Sequence, residues 1–211
     1  MVKSEVVKTI NKAMEAANMD FEVAVYVELM KSIQPNSPIS PFVRCAYERY
    51  YGMAKAFLTD SWKNRYFEIM NKYLEKNEIK ESLNLEKLMD EVGPDDKNVQ
   101  PAFVSKLLHT LKNDEPIYDK YVRCFLEIGE PQGDSIDKRK EAAVSIYENK
   151  IKLGFFQNDD YSELRNLMLD IFNKKYNGAE EVSDIKKQDF IMWSLGKQRF
   201  KISELSSDVL L

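Results

Sequence analysis

The sequence predicts an all-α protein: a single orthogonal helical domain of nine or ten helices spanning residues 1–211. Three observations carry that reading. Apolar residues recur at helical spacing along almost the whole chain. Only seven glycines and seven prolines occur, too few for the many turns of a sandwich or barrel. The one segment that alternates like a strand has no second such segment to pair with.

Taken in order, Val6, Val7, Ile10, Met14 and Ala17 place the first helix over residues 4–18. Phe21, Val23, Val25, Val27 and Leu29 alternate, but Ala24, Met30 and Ile33 extend the segment as a helix. Residues 34–41, with three prolines, are the clearest break. Ser40-Pro41 then reads as an N-cap and first-turn proline opening a helix that runs to residue 58. Thr59, Asp60 or Ser61 caps a helix carrying Trp62, Tyr66, Phe67, Ile69, Met70, Tyr73 and Leu74. A charged connector at 75–82 leads to a short helix with Leu85, Leu88, Met89 and Val92, stopped by Gly93-Pro94.

Pro101 opens an apolar helix through Leu111, and Pro116 opens another through Ile128. Asp134 or Ser135 caps a helix reaching Leu153. Asp160 or Ser162 caps one ending before Gly178. Ser183 starts one ending near Gly196. The tail, 203–211, is polar and expected to fray.

Net charge is −4 and the pI about 5.3, against the basic balance of a dedicated nucleic-acid binder. Cys45 and Cys124 form no CxxC pair and predict free, buried thiols in a reducing compartment. His109 is the only histidine, so a Cys/His zinc site lacks ligands, and no metal is predicted. Phosphate-binding glycine loops, dinucleotide fingerprints and a nucleophile elbow are missing, and no cofactor is implied. The first residues carry no apolar signal region, and no long apolar run exists. The expectation is a cytoplasmic protein that does not enter a membrane.

The most informative stretch is VGPDDKNVQPAFVSKLLHTLKNDEPIYDKYVRCFL, residues 92–126. A short helix, a glycine-containing loop, an apolar helix, a proline loop and an aspartate at the next helix start follow one another. This stretch resembles the core of the helix-hairpin-helix base-excision DNA glycosylases. The resemblance implies a DNA glycosylase-like fold, double-stranded DNA as partner, and DNA repair as context.

In that family an aspartate is catalytic, and the resemblance places Asp119 in its position. Glycosidic cleavage builds positive charge on the sugar, and a carboxylate stabilises it. The target base must leave the duplex and enter an apolar or aromatic pocket. Tyr118 and Tyr121 flank Asp119 and are candidates for that wall, with Lys106 and His109 as further substrate-binding candidates.

Two departures matter. Asp95 and Asp96 follow Gly93-Pro94, where the family's hairpin approaches a phosphate. Bifunctional members carry a lysine well upstream of the aspartate. The matching positions, Gln100 to Ala102, hold none, and Lys106 lies about a turn further along.

Competing readings are structural. Asp119 at a helix start meets the helix dipole and free N–H groups. Lys106 and His109 sit near Ser105 and Lys112, which reads as a solvated face. Tyr47, Tyr50, Tyr51, Phe57, Trp62, Tyr66 and Phe67 read as core before they read as a base-stacking platform. In residues 186–201, Phe190 and Trp193 read as core, and Lys186, Lys187, Lys197, Arg199 and Lys201 read as cations at a helix C-terminus before they read as phosphate-facing. A non-catalytic helical interaction or scaffold module with a protein partner is the functional alternative.

Overall fold

The computed structural model describes residues 2–75, 82–95, 98–176 and 180–209. Most of the charged connector at 75–82, together with Asp96 and Gly178, lies outside them. The described residues are all-helical, without a strand, and form eleven α-helices. No helix among them is long and apolar enough to cross a membrane.

Helix α1 (Val2–Ala16) buries Val6, Ile10, Ala13 and Met14, the stripe its spacing predicts. The ambiguous segment is helical: α2 (Met19–Ser32) turns Val23, Tyr26 and Leu29 inward and leaves Phe21 exposed. Ser40 caps α3 (Pro41–Tyr50), its hydroxyl accepting from the Val43 amide at 3.3 Å. This helix ends eight residues before the expected limit of 58. Gly52, at φ +75°, turns the chain into a short 3-10 turn, Met53–Lys55.

Thr59 caps α4 (Asp60–Glu75) through Oγ1, which accepts from the Trp62 amide at 3.2 Å. The preceding proline-rich break lies along α4. Asn36 N–H donates to the Leu74 carbonyl at 3.0 Å, and Ile39 N–H to Asn71 Oδ1 at 2.9 Å.

Helix α5 (Leu85–Val92) stops at Gly93, φ +72°. A tight turn follows, in which Asp95 and Asn98 exchange both backbone bonds, and α6 (Pro101–Leu111) leaves it. Helix α7 (Lys120–Phe125) begins four residues later than Pro116. The Tyr118 amide donates to Ser105 Oγ at 2.9 Å, which ties the intervening segment to α6.

Helix α8 (Ile136–Ser145) continues as wider π-helical turns over Ile146–Phe156. Helices α9 (Ser162–Lys175) and α10 (Asp184–Lys197) follow. The expected frayed tail is instead α11 (Ile202–Val209), because Ile202 and Leu205 are buried. Both cysteines are free, as expected, but exposed rather than buried.

Two apolar cores result. One collects α3 to α6 and α8 around Tyr47, Trp62, Tyr66, Leu107 and Tyr147. The other joins both ends of the chain, α1, α2 and α9 to α11, with Val122 and Phe125 of α7. Met30, Tyr50, Leu126 and Phe156 pack against both. Two tyrosine hydroxyls in the first core satisfy each other and their neighbours: Tyr47 bonds Tyr66 at 2.9 Å and Thr110 at 3.0 Å, and Tyr66 donates to the Phe103 carbonyl, whereas the buried hydroxyls of Tyr51 and Tyr118 have no hydrogen-bond partner among the described residues.

Candidate functional site

A cleft of about 610 Å³ opens where elements of the two cores meet. Its walls come from α3 and the following turn (Tyr50, Tyr51, Lys55), from α6 (Phe103, Lys106), from the start of α7 (Asp119, Lys120, Tyr121) and from α10. Helix α10 supplies Lys186, Asp189, Phe190, Trp193 and Lys197, whose three- and four-residue spacing puts them on one face.

Helix α10 reaches this position because of Gly196. A Cβ there would fall 1.9 Å from the Tyr121 carbonyl oxygen, so only glycine permits the approach. The contact sets Tyr121 edge-on to Trp193, with ring centroids 5.9 Å apart.

Asp119 is half-buried and makes two kinds of contact. Oδ1 accepts from the Tyr121 amide at 2.8 Å, the helix-capping bond its position predicts. Oδ2 stands 3.3 Å from Lys106 Nζ. Lys106 is buried, lies over the Phe103 ring at 5.0 Å, and donates to the Tyr51 carbonyl at 3.4 Å. The cap and the cleft are therefore not alternatives, since one carboxylate serves both.

A second lysine–aspartate pair occupies the α10 wall. Lys186 Nζ meets Asp189 Oδ2 at 2.6 Å, with both residues buried. Lys186 also lies over the rings of Phe190 and Tyr26, at 4.3 and 5.2 Å. Burial pushes the Asp189 carboxyl above the ordinary aspartate range, Lys186 opposes that shift, and the charge of Asp119 adds to it. Burial likewise raises the Tyr50 and Tyr51 phenols. In all, five lysines face two aspartates in the lining, inside a chain of net charge −4.

Of the residues expected at the site, Asp119, Lys106 and Tyr121 come together in the cleft, joined by Tyr50, Tyr51, Lys186, Phe190, Trp193 and Lys197 from the two aromatic and basic segments. Lys106 lies on a buried face, not the solvated one its neighbours suggest. Tyr118 points away: it is 2% exposed and packs under the Arg123 guanidinium, 5.2 Å from its ring.

His109 is also removed from the cleft, at 1% exposure, and the solvated-face reading fails for it as well. Its Nδ1 lies 2.7 Å from the Glu115 carbonyl, which can only accept. The proton therefore sits on Nδ1, and Nε2 accepts from the Tyr26 hydroxyl at 3.0 Å. Burial, with Lys186 second, lowers its pKa to about 3. His109 thus braces α6 against α2 behind the cleft.

Asp95, which reads from sequence as a charge facing phosphate, turns inward. Its Oδ1 accepts from Thr59 Oγ1 at 2.6 Å, and both oxygens lie near the Thr59 amide. Trp62 Nε1 and Arg65 donate to the carbonyls of Gly93 and Pro94, at 2.9 and 3.1 Å. The turn is held from α4.

Sequence reasoning singled out Lys186, Phe190, Trp193 and Lys197 but missed Asp189 and the meeting of this segment with Asp119. Lys186 and Asp189 are 67 or more residues from Asp119 in the chain. The available signal was Gly196, a glycine inside a helical pattern, which marks close packing. Among the described residues no cluster of three or more metal-ligating side chains occurs. No protein-family model, characterised protein or solved structure matches the chain.

Proposed function

We propose that the protein is a divergent DNA glycosylase-like protein whose cleft receives a base extruded from damaged or distorted double-stranded DNA. One observation carries this reading: the Asp119–Lys106 pair stands in the wall of a cleft with ample room for a base, aromatic and lysine-rich in an acidic chain. Tyr121, Trp193, Phe103 and Tyr50 offer ring faces and edges for stacking a base. Lys55, Lys120 and Lys197 are exposed on the same lining and suit a phosphate backbone. The order of α5, a tight turn closed by Asp95 and Asn98, and α6 agrees with the resemblance in the sequence. The inward turn of Asp95 removes one of the two charges that would oppose phosphate there.

In this reading Asp119 is the catalytic carboxylate. Oδ1 is fixed by the Tyr121 amide, and Oδ2 remains turned into the cleft beside Lys106. As the glycosidic bond breaks, that oxygen stabilises the positive sugar. The test is binding of a labelled duplex carrying an abasic-site analogue, against an intact duplex, followed by base-release assays on damaged duplexes. Wild type is expected to prefer the lesion, more weakly as salt rises. Asp119→Asn is expected to keep binding and lose roughly 100- to 1,000-fold in base release. No preference for any lesion at low salt would overturn the reading.

A non-catalytic interaction module is the second reading, favoured by the net charge of −4. It requires a protein partner and no lesion preference.

A further inference from the structure

The least exposed ion pair among the described residues lies in the α10 wall of the cleft. The side chains of Lys186 and Asp189 are 5% and 6% exposed, and Lys186 Nζ meets Asp189 Oδ2 at 2.6 Å. Taking two charges out of water costs about as much as their attraction returns, so such a pair does little for stability. It also ties no two elements together. Lys186 and Asp189 stand three residues apart on one helix, whereas the Lys106–Asp119 pair joins α6 to the start of α7. The fold therefore gives no reason for Asp189 to be charged.

The carboxylate has capacity to spare. Among the described residues its only hydrogen bond is the one from Lys186 to Oδ2, although an ionised carboxylate accepts several. The charge of Lys186 favours that ionised form. Other acceptors in the cleft are engaged: Asp119 takes the Tyr121 amide and stands against Lys106, and the Tyr51 carbonyl accepts from Lys106. Phe190 and Trp193, one and four residues along α10, place rings beside Asp189 in the same lining. We propose that Asp189 is the specificity residue of the cleft, its Oδ1 accepting from an N–H on the polar edge of the bound base while Lys186 fixes Oδ2. This assignment rests on the DNA reading above and narrows its substrate class to bases that carry a ring or exocyclic N–H. A base of the same shape without that donor would leave a buried carboxylate oxygen unpaired, which costs more than the bond alone.

The experiment measures binding of the full chain, by anisotropy, to duplexes that differ at one mispaired base. Thymine is set against difluorotoluene, its apolar isostere, and adenine against unsubstituted purine, which lacks the amino group. An abasic-site analogue, with no base to read, is the control. Asp189→Ala alone would strand a buried lysine, so the variant is Lys186→Met with Asp189→Leu, an apolar replacement of similar volume expected to keep or raise the melting temperature. Comparing variant with wild type on each duplex cancels the cost of unpairing. The preference of wild type for the donor-bearing base, in at least one of the two sets, is expected to fall about tenfold or more in the variant. Binding to the abasic duplex is expected to stay the same. Equal preferences in wild type and variant overturn the assignment and leave the DNA reading standing, and a large drop in melting temperature overturns it by making the pair structural. Absence of lesion-preferring binding by wild type overturns both.

Discussion

Replacing His109 by Gln should flatten the acid limb of the stability curve. His109 is buried, and its pKa falls from the ordinary 6.5 to about 3 when the chain folds. Below pH 6.5 the unfolded chain therefore takes up a proton that the folded chain refuses. The unfolded state binds more protons, so stability drops as pH falls through this window. The slope is about 1.4 kcal/mol per pH unit between roughly 6.5 and 3. At pH 5 that amounts to about 2 kcal/mol, and near neutrality to almost nothing.

Other groups titrate too. Burial pushes Glu115 up, but Lys152 and Lys112 bring its carboxyl below the ordinary value overall, and Asp189 shifts upward. Comparing wild type with His109→Gln at each pH cancels these to first order. Gln keeps a similar length and polar ends but cannot titrate.

Urea unfolding followed by far-UV circular dichroism, at pH 7.5 and pH 5, measures the two differences. The variant starts less stable, because the bonds to Tyr26 and Glu115 are disturbed, each worth about 1 kcal/mol. The gap between the two proteins should then close by about 2 kcal/mol at pH 5. A gap that is the same at both pH values would refute the argument. It would mean that His109 is protonated in the fold or reached by water.

Gly196→Ala should destabilise the protein by about 2 kcal/mol despite the better helix propensity of alanine, because the added methyl meets the Tyr121 backbone. Thermal melting reads the loss, and a rise in Tm would show that α10 can move off α7 without cost. Lys106 stands beside Asp119 even though it lies a turn away from the position where bifunctional glycosylases carry their lysine. Borohydride should therefore trap wild type on abasic DNA and fail to trap Lys106→Ala, and trapping that survives the substitution would remove the lysine from the chemistry.

How far the sequence is legible depends on the range of the interaction concerned. Helix period and caps are local, so the positions of α1, α4, α5, α6 and α10 follow from spacing and from Thr59, Gly93, Pro101 and Ser183. The α3 terminus was misplaced although Gly52 was visible, because Met53 and Ala56 continue the apolar pattern through a turn. The tail helix was missed for the opposite reason: with Ser, Asp and Glu around them, Ile202 and Leu205 look too few to hold it until the second core is in place.

The site divides the same way. Asp119 is legible because a cap is a local device, whereas its role in a cleft depends on α10, far along the chain. The misreading of Lys106 and His109 has one cause. Polar residues on a helix are assigned to solvent by default, yet this face of α6 lies against α2, the α3 turn and the start of α7. There each polar group finds a partner: Asp119 for Lys106, and Tyr26 and the Glu115 carbonyl for His109. A polar face that the fold buries is satisfied by distant residues, and spacing along one helix does not name them. The partners it acquires, a carboxylate for the lysine and a phenol for the histidine, separate the residue that faces the cleft from the one that braces it.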